Sequence, residues 1–545
     1  MKLNFQQMGP QFALICLQIQ KGRDCEIQEY DGFQCFYGLM KRSAYICDLK
    51  EKIIRVKFRL SEIASDTIQI PVFRIISEEA ERLQLPTWVI GGYVRDRLLG
   101  LDCKDADFVC TGDCLPLAEA VAQRLKVGES LAVFKNFGTA QIKADGWILE
   151  FVSARKESYQ LDSRKPSVEP GSLEDDQLRR DLTINAIAIA LTGDDKGSFL
   201  DPFQGMEDLR SKIVRTPQSP ENTFSDDPLR MLRCIRFAAR LGFDIEPDTF
   251  EGIRKMKSRL SIISAERISD ELNKIILGNP PSYGFKLLYY SELLQEFFPE
   301  LVALAGVENR DGKAHKDNFF HTLEVLDNVA AKSQDLWLRW AAILHDIAKP
   351  ATKRFVPGEG WTFHGHEERG ARMVPKIFNR LKLPLNEHMR FVEKLVRLHL
   401  RPISLTNEAV SDSAVRRLMF EAGNDLEALM MLCRADVTTK NPNKARRYLE
   451  KFDQVEQKMA LVEESDRLRN FQPVLSGEMI MEVFDLKPGK EIGIIKEQIR
   501  EGILEGRIRN TLPECLFIAI QIAAGIGVSP PAGFDGQAFL DRYPE

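Results

Sequence analysis

Apolar residues recur every three to four positions from Ile70 to Leu83, a spacing that predicts a helix with one buried face. Thr87–Ile90 is a short β-rich run that stops at Gly91-Gly92, and Asp107–Cys110, Gly138–Ile142 and Trp147–Val152 read as further strands. Residues 156–177 are polar, with two prolines and a glycine, and predict a mobile loop. From Asp227 onwards the pattern is helical, with Gly and Pro at junctions such as Gly278-Asn279-Pro280-Pro281. The expected fold class is α+β: an α/β head with a small mixed sheet, then an elongated all-α body.

Composition narrows this only a little. The 545 residues are 44% hydrophobic and 28% charged, with a formal net charge of −5. That excludes a collagen-like or disordered chain and a wholly basic nucleic-acid coat, though not a local basic stripe. At about 100–200 residues per domain, three or four domains are expected. The ten cysteines hold no C-x-x-C pair and read as reduced thiols of a cytoplasmic protein. The longest N-terminal apolar run, Phe12–Cys16, is too short for a signal-peptide core, and the longest C-terminal run, Leu516–Gly525, is interrupted by Gln521 and falls short of the ~20 residues a membrane span needs. All seven histidines lie between His315 and His399, which points either to metal binding or to a histidine-rich surface.

The candidate chemistry of the head begins at Gly91-Gly92-Tyr93-Val94-Arg95-Asp96. Glycines such as Gly92 at a strand-to-helix turn let a phosphate approach backbone N–H groups, and Arg95 is placed to grip a phosphate oxygen. Next, Asp105 and Asp107 are two residues apart in a strand and so share a face. Such a pair can hold Mg²⁺ against the attacking and leaving oxygens of a phosphoryl displacement. Glu150, inside another strand, is the candidate third carboxylate.

Taken in order, these motifs resemble the class II nucleotidyltransferases: the CCA-adding tRNA nucleotidyltransferases and bacterial poly(A) polymerases. Arg179-Arg180-Asp181-Leu182-Thr183-Ile184-Asn185-Ala186, Asp201-Pro202-Phe203-Gln204-Gly205 and Asp226-Asp227-Pro228-Leu229-Arg230 with Arg233, Arg236 and Phe237 are similar to the family's later motifs. Ser264-Ala265-Glu266-Arg267-Ile268 before Glu271 looks like its neck-closing helix. The resemblance implies catalytic Asp105, Asp107 and Glu150, and nucleotide ligands Gly92, Arg95, Arg180, Asp181, Asp227, Arg230, Arg233 and Arg236. Asn185 reads either as a ligand or as a backbone cap.

The same resemblance implies base choice by protein side chains. Cytosine and adenine each present an amine donor beside a ring-nitrogen acceptor, whereas uracil and guanine present the reverse. An Asp accepting from the amine and an Arg donating to the ring nitrogen would admit C and A. A wrong base would leave buried polar groups unpaired, at about 1–3 kcal/mol each. Asp227 and Arg230 are spaced i, i+3, as neighbours on one helical face would be, and Arg236 falls on the side opposite Asp227.

The histidines form a second set. His321, His345-Asp346, His366, His399 and Asp436 resemble the ligand series of HD-domain metal-dependent phosphohydrolases. His and Asp suit Mn, Fe, Ni or Mg, and a metal held there would activate water on a phosphate ester. His315, His364 and His388 do not fit the series; His388 reads as surface.

The expected domains are an N-terminal extension (1–68), a nucleotidyltransferase head (69–215), a helical neck for base selection and RNA binding (216–300), an HD domain (301–452) and a tRNA-binding tail (453–545). Arg434, Lys440, Lys444, Arg446, Arg447 and Lys451 form a basic stretch suited to phosphate contact. The expected function is template-independent addition of CCA to the tRNA 3′ end from CTP and ATP, with Mg²⁺ in the head and no membrane partner. The alternatives are a poly(A) polymerase, a partial CC- or A-adding enzyme, or an HD phosphohydrolase with an RNA-binding head.

Overall fold

The computed structural model describes residues 60–543 apart from 135–137, 161–162, 406–411, 440 and 467–471. Most of the expected extension and Lys440 of the basic stretch therefore lie outside the described residues. The last residues of that extension form the helix Leu60–Gln69, which packs on the head through buried Ala64 and Thr67. Thr67 Oγ1 lies 3.2 Å from the Tyr93 hydroxyl.

The head strands are β1 (Thr87–Ile90), β2 (Asp105–Cys110), β3 (Ala132–Phe134), β4 (Thr139–Ala144), β5 (Trp147–Ser153), β6 (Arg155–Gln160), β7 (Ser163–Pro170), β8 (Ala188–Ala190) and β9 (Phe199–Leu200). All except β6 and β7 join one sheet in the order β3-β4-β5-β2-β1-β8-β9. The sheet is mixed: β2 and β5 run parallel, while β1 is antiparallel to both β2 and β8. Alternation along β2 sends Ala106 and Phe108 into the core and leaves Asp105 and Asp107 on the other face. Phe108 stacks on Phe151 of β5 at 5.2 Å between ring centroids, and Phe73 and Trp147 extend this aromatic layer.

Residues 156–177 are not a loop. β6 and β7 pair antiparallel from Arg155–Pro170 to Gln160–Ser163, and the helix Leu173–Leu178 follows behind a Ser172–Asp175 capping box. Polar composition excludes a core strand, but not a hairpin whose backbone groups satisfy one another.

The body is helical. α1 (Gly92–Leu98) belongs to the head. α2 (Leu229–Leu241) and α3 (Ala265–Ile276) form the neck. α4 (Asn318–Ala330), α5 (Leu336–Leu344), α6 (His366–Arg380), α7 (Glu387–Leu398) and α8 (Leu426–Ala435) enclose the histidines. In α2 the sequence LRMLRCIRFAARL buries Met231, Leu232, Ile235 and Ala238 on one side, and Arg230, Arg233, Arg236 and Arg240 run down the other. Among the described residues, no helix is long and apolar enough to cross a membrane.

Candidate active site and metal centre

Strand register assembles the three carboxylates. Asp107 of β2 pairs directly with Glu150 of β5, so their side chains leave the same face, and Asp105 is on that face two residues earlier. Burial raises the Asp107 carboxyl above its ordinary range, Arg180 opposes this, and Asp105 adds to it. Burial likewise raises Glu150, with Asp107 and then Asp105 reinforcing the shift. Asp107 and Glu150, both raised by burial and by neighbouring carboxylates, with Asp105 on the same face, make a pocket of negative charge that a cation would relieve.

The turn before α1 has no room for a side chain. Gly91 has φ +85°, and a Cβ there would sit 2.8 Å from Arg180 Nη1 and 3.1 Å from Asp107 Oδ2. Gly91→Ala is therefore expected to cost about 1–3 kcal/mol of stability. It should also slow CTP incorporation by displacing Arg180 from Asp107, whose atoms lie 3.9 Å apart. Denaturant melts and single-turnover incorporation check the two effects.

Arg95 is buried and fully engaged. Its guanidinium donates to Asp96 Oδ1 at 2.7 Å and to Asn185 Oδ1 at 2.6 Å. Asn185 donates to Asp181 Oδ1 at 3.0 Å, and Arg233 donates to Asp181 Oδ2 at 2.6 Å. Arg240 reaches Asp96 at 3.4 Å, closing a network between α1, the 181–185 segment and α2. Burial would push Asp181 up, but Arg233 and Asn185 more than offset it and bring it to about 2. The Phe237 ring carries the Arg236, Arg95 and Arg233 guanidinium carbons at 4.1, 4.9 and 5.5 Å. Asn185 and Asp96 hold this network together; the former is the ambiguous residue of the sequence, and the latter gives no signal there beyond its place in the glycine motif.

Asp227 and Arg230 do not share a helical face. Asp227 lies before α2 in an extended conformation, with Pro228 at the N-cap. Its Oδ1 accepts from the Leu229 N–H at 3.1 Å and its Oδ2 from Arg267 of α3 at 2.9 Å. Buried Arg230 donates to the Thr223 carbonyl at 3.4 Å. Because Asp227 is outside the helix, counting turns from it misplaces Arg236. That residue lies on the arginine face of α2 and bonds Glu271 of α3 at 2.5 Å. Arg267 and Glu271 thus stand behind two of the candidate nucleotide ligands.

The fold brings the second set together. His321, His345 and Asp436 offer ligand atoms within 4.8 Å of one another, as do Asp346, His366 and His399. The Nδ1 atoms of His345, His366 and His399 face the carbonyls of Ala342, Phe363 and Val396 at 2.7–2.8 Å. That bond takes the proton on Nδ1 and directs the Nε2 lone pairs inward. Those three buried Nε2 atoms have no hydrogen-bond partner. Asp346 links the two triads, 3.3 Å from His345 and 3.2 Å from His366. His321 differs: its Nε2 meets Asp436 at 2.9 Å and its Nδ1 meets Thr438 and Lys316 at 2.9 and 3.0 Å. Burial drives His399 down to about 4, which favours the neutral ligand form. Orphaned inward nitrogens in a buried His/Asp shell fit a divalent metal. Lys349, 2.6 Å from Asp346, joins the site with no signal in the sequence to mark it.

The remaining histidines stay outside. His388 is half-buried and stacks on Trp337 at 4.7 Å, and His315 meets Trp361 edge-on at 5.6 Å. The basic stretch is partly spent, because Arg434 binds Asp453 and Glu456 at 2.6 and 2.7 Å. Lys444, Arg446 and Arg447 are exposed on the helix Pro442–Asp466, where Arg446 pairs with Glu450 at 2.7 Å.

Residues 87–215 match the poly A polymerase head domain, 242–304 the probable RNA and SrmB-binding site of polymerase A, and 318–441 the HD domain. The multifunctional CCA protein of Tolumonas auensis is 36% identical over 311 residues, which span 54% of this chain and 70% of the relative. That of Chromobacterium violaceum is 35% identical over 341 residues, spanning 61% and 78%. The fold is also that of a solved CCA-adding enzyme in an apo form, with TM-score 0.58 and 21% identity over 86% of this chain and 98% of the other. With its sequence relatives matched over more than two thirds of their length, the chain belongs to the family of multifunctional CCA proteins.

Proposed function

We propose that this cytoplasmic tRNA nucleotidyltransferase adds CCA to tRNA without a template, using CTP and then ATP. The observation that carries the reading is the Asp107–Glu150 register, with Asp105 on the same face, facing Arg180 under the Gly91 turn. The tRNA 3′-hydroxyl attacks the α-phosphate of the nucleotide, and pyrophosphate leaves. Asp105, Asp107 and Glu150 would hold Mg²⁺, which supplies charge stabilisation for the transferring phosphate. Gly92 and Arg180 face the triphosphate, while Arg95, Asp181, Arg233 and Arg236 hold the cleft wall. Asp227 accepts from the amine of cytosine or adenine, and Arg230 donates to the ring nitrogen. The neck (216–300) and tail (453–545) hold the RNA, with Lys444, Arg446 and Arg447 supplying phosphate contacts.

The HD centre is a second, metal-dependent phosphohydrolase site. His321, His345, Asp346, His366, His399 and Asp436 would hold Mn, Fe, Ni or Mg, which lowers the pKa of a bound water. Lys349 and Lys316 add positive charge beside it for a phosphate ester.

Incubating tRNA lacking CCA with CTP, ATP or both, then sequencing its ends, tests the principal reading. CTP alone is expected to give CC ends, and both nucleotides CCA ends. Runs of A from ATP alone would establish a poly(A) polymerase instead.

A further inference from the structure

The neck helix α3 is held on two opposite sides. At about 100° per residue, Ser269 and Asn273 lie on one side, and Arg267 and Glu271 on the other. The second side grips the candidate base-reading region: Arg267 binds Asp227 at 2.9 Å and Glu271 binds Arg236 at 2.5 Å. The first side is gripped by the HD domain. Ser269 Oγ donates to the Leu381 carbonyl after α6, and the Trp340 indole N–H of α5 donates to Asn273 Oδ1 at 2.9 Å.

Arg339 of α5 completes the grip at the end of α3. This side chain is fully buried, yet its hydrogen-bond partners include no carboxylate. It donates to the carbonyls of Ile276 and Gly278, where α3 ends, at 2.8 and 3.1 Å. It also donates to the carbonyls of Ala330 and Ser333, where α4 ends, at 3.2 and 2.8 Å. Two helix C-termini therefore supply the negative potential that balances a buried guanidinium. The same α5 runs directly into His345 and Asp346.

We propose that Arg339 and Trp340 are positioning residues for nucleotidyl transfer, acting through α3 on Asp227 and Arg236. A short helix seized at one end and along one side passes displacement to its other side, because packed interiors deform little. The inference rests on the reading of Asp227 and Arg230 as the base-selecting pair.

The test uses the full chain with tRNA lacking CCA, and reads kcat, KM for CTP and the ratio of UTP to CTP incorporation. Trp340→Phe keeps the ring and removes only the N–H. It is expected to raise KM and the UTP:CTP ratio by about fivefold, the value of one lost hydrogen bond. Arg339→Met should exceed this, and Arg339→Lys should recover part of the loss. A lower melting temperature with unchanged KM and unchanged base ratio would overturn the proposal, since a purely structural role moves only the amount of folded enzyme. Should Arg339→Met fail to fold, Trp340→Phe and Asn273→Ala decide alone. Asp227→Ala separates the two ideas: if it leaves base choice intact, the base-selection reading fails. If it alters base choice while Trp340→Phe does not, the positioning role fails.

Discussion

Asp107→Asn is expected to lower the rate of CTP and ATP incorporation by on the order of 10³-fold or more, with no loss of folded protein. The magnitude follows from removing a metal-holding charge at a transferring phosphate, worth several kcal/mol at about 1.4 kcal/mol per factor of ten. Asparagine keeps the shape of the side chain between Gly91 and Arg180, so the strained turn and the β2–β5 pairing stay in place. Stability should hold or rise slightly, because burial and Asp105 both disfavour the Asp107 charge in the protein without its metal. Activity and stability thus move in opposite directions, which separates this variant from one that merely unfolds. Single-turnover incorporation beside a thermal melt reads both. A rate within tenfold of the parent would remove Asp107 from the catalytic set. Glu150→Gln should follow the same direction with a smaller loss, since Glu150 is the flanking partner in the register.

That pair also shows what can be read from sequence. Local β-rich composition marks β1 and the strand at Trp147–Val152, and period-two alternation places Asp105 and Asp107 on one face. Only pairing could place Glu150 beside Asp107, and pairing is a property of two segments rather than one. The errors share this cause. Within 156–177 a polar hairpin lies outside the main sheet and a short helix follows it, and local composition cannot separate these from a loop. Asp226-Asp227-Pro228 does precede a helix start, but Asp227 itself stays extended before the proline, and its carboxylate is taken by Arg267, forty residues later. Arg95 in the glycine motif points to a phosphate, whereas in the fold buried Asp96 and Asn185 occupy its donors. The HD set is more legible because histidine is rare in this chain. Seven histidines confined to one segment leave metal binding and a histidine-rich surface both open by residue type alone, and it is the ordered series with its adjacent His-Asp pair that resembles a metal-ligand set.

His345→Ala is expected to abolish the stabilisation of the chain by divalent metal while leaving CCA addition within about twofold of the parent. A ligand that binds only the folded state stabilises by RT ln(1 + [L]/Kd), about 2.7 kcal/mol at one hundred times Kd. The parent should therefore melt higher as Ni²⁺ or Mn²⁺ is added, and the variant should not. His345 is the right position because its buried Nε2 is one of the orphaned atoms and adjoins both triads, 3.3 Å from Asp346 and 3.7 Å from Asp436. Losing it removes a ligand from one triad and the neighbour of Asp346 in the other. Transfer should persist because Arg339 and Trp340, less than two turns earlier on α5, keep their own partners on α3. Metal analysis of the purified proteins checks the same point independently of melting. If the variant retains the metal content and the metal-dependent melting shift of the parent, the six residues are a helical scaffold rather than a metal centre. If the metal is lost together with nucleotidyl transfer, the two sites are not separable, and the HD centre would have to be read as part of the polymerising machinery.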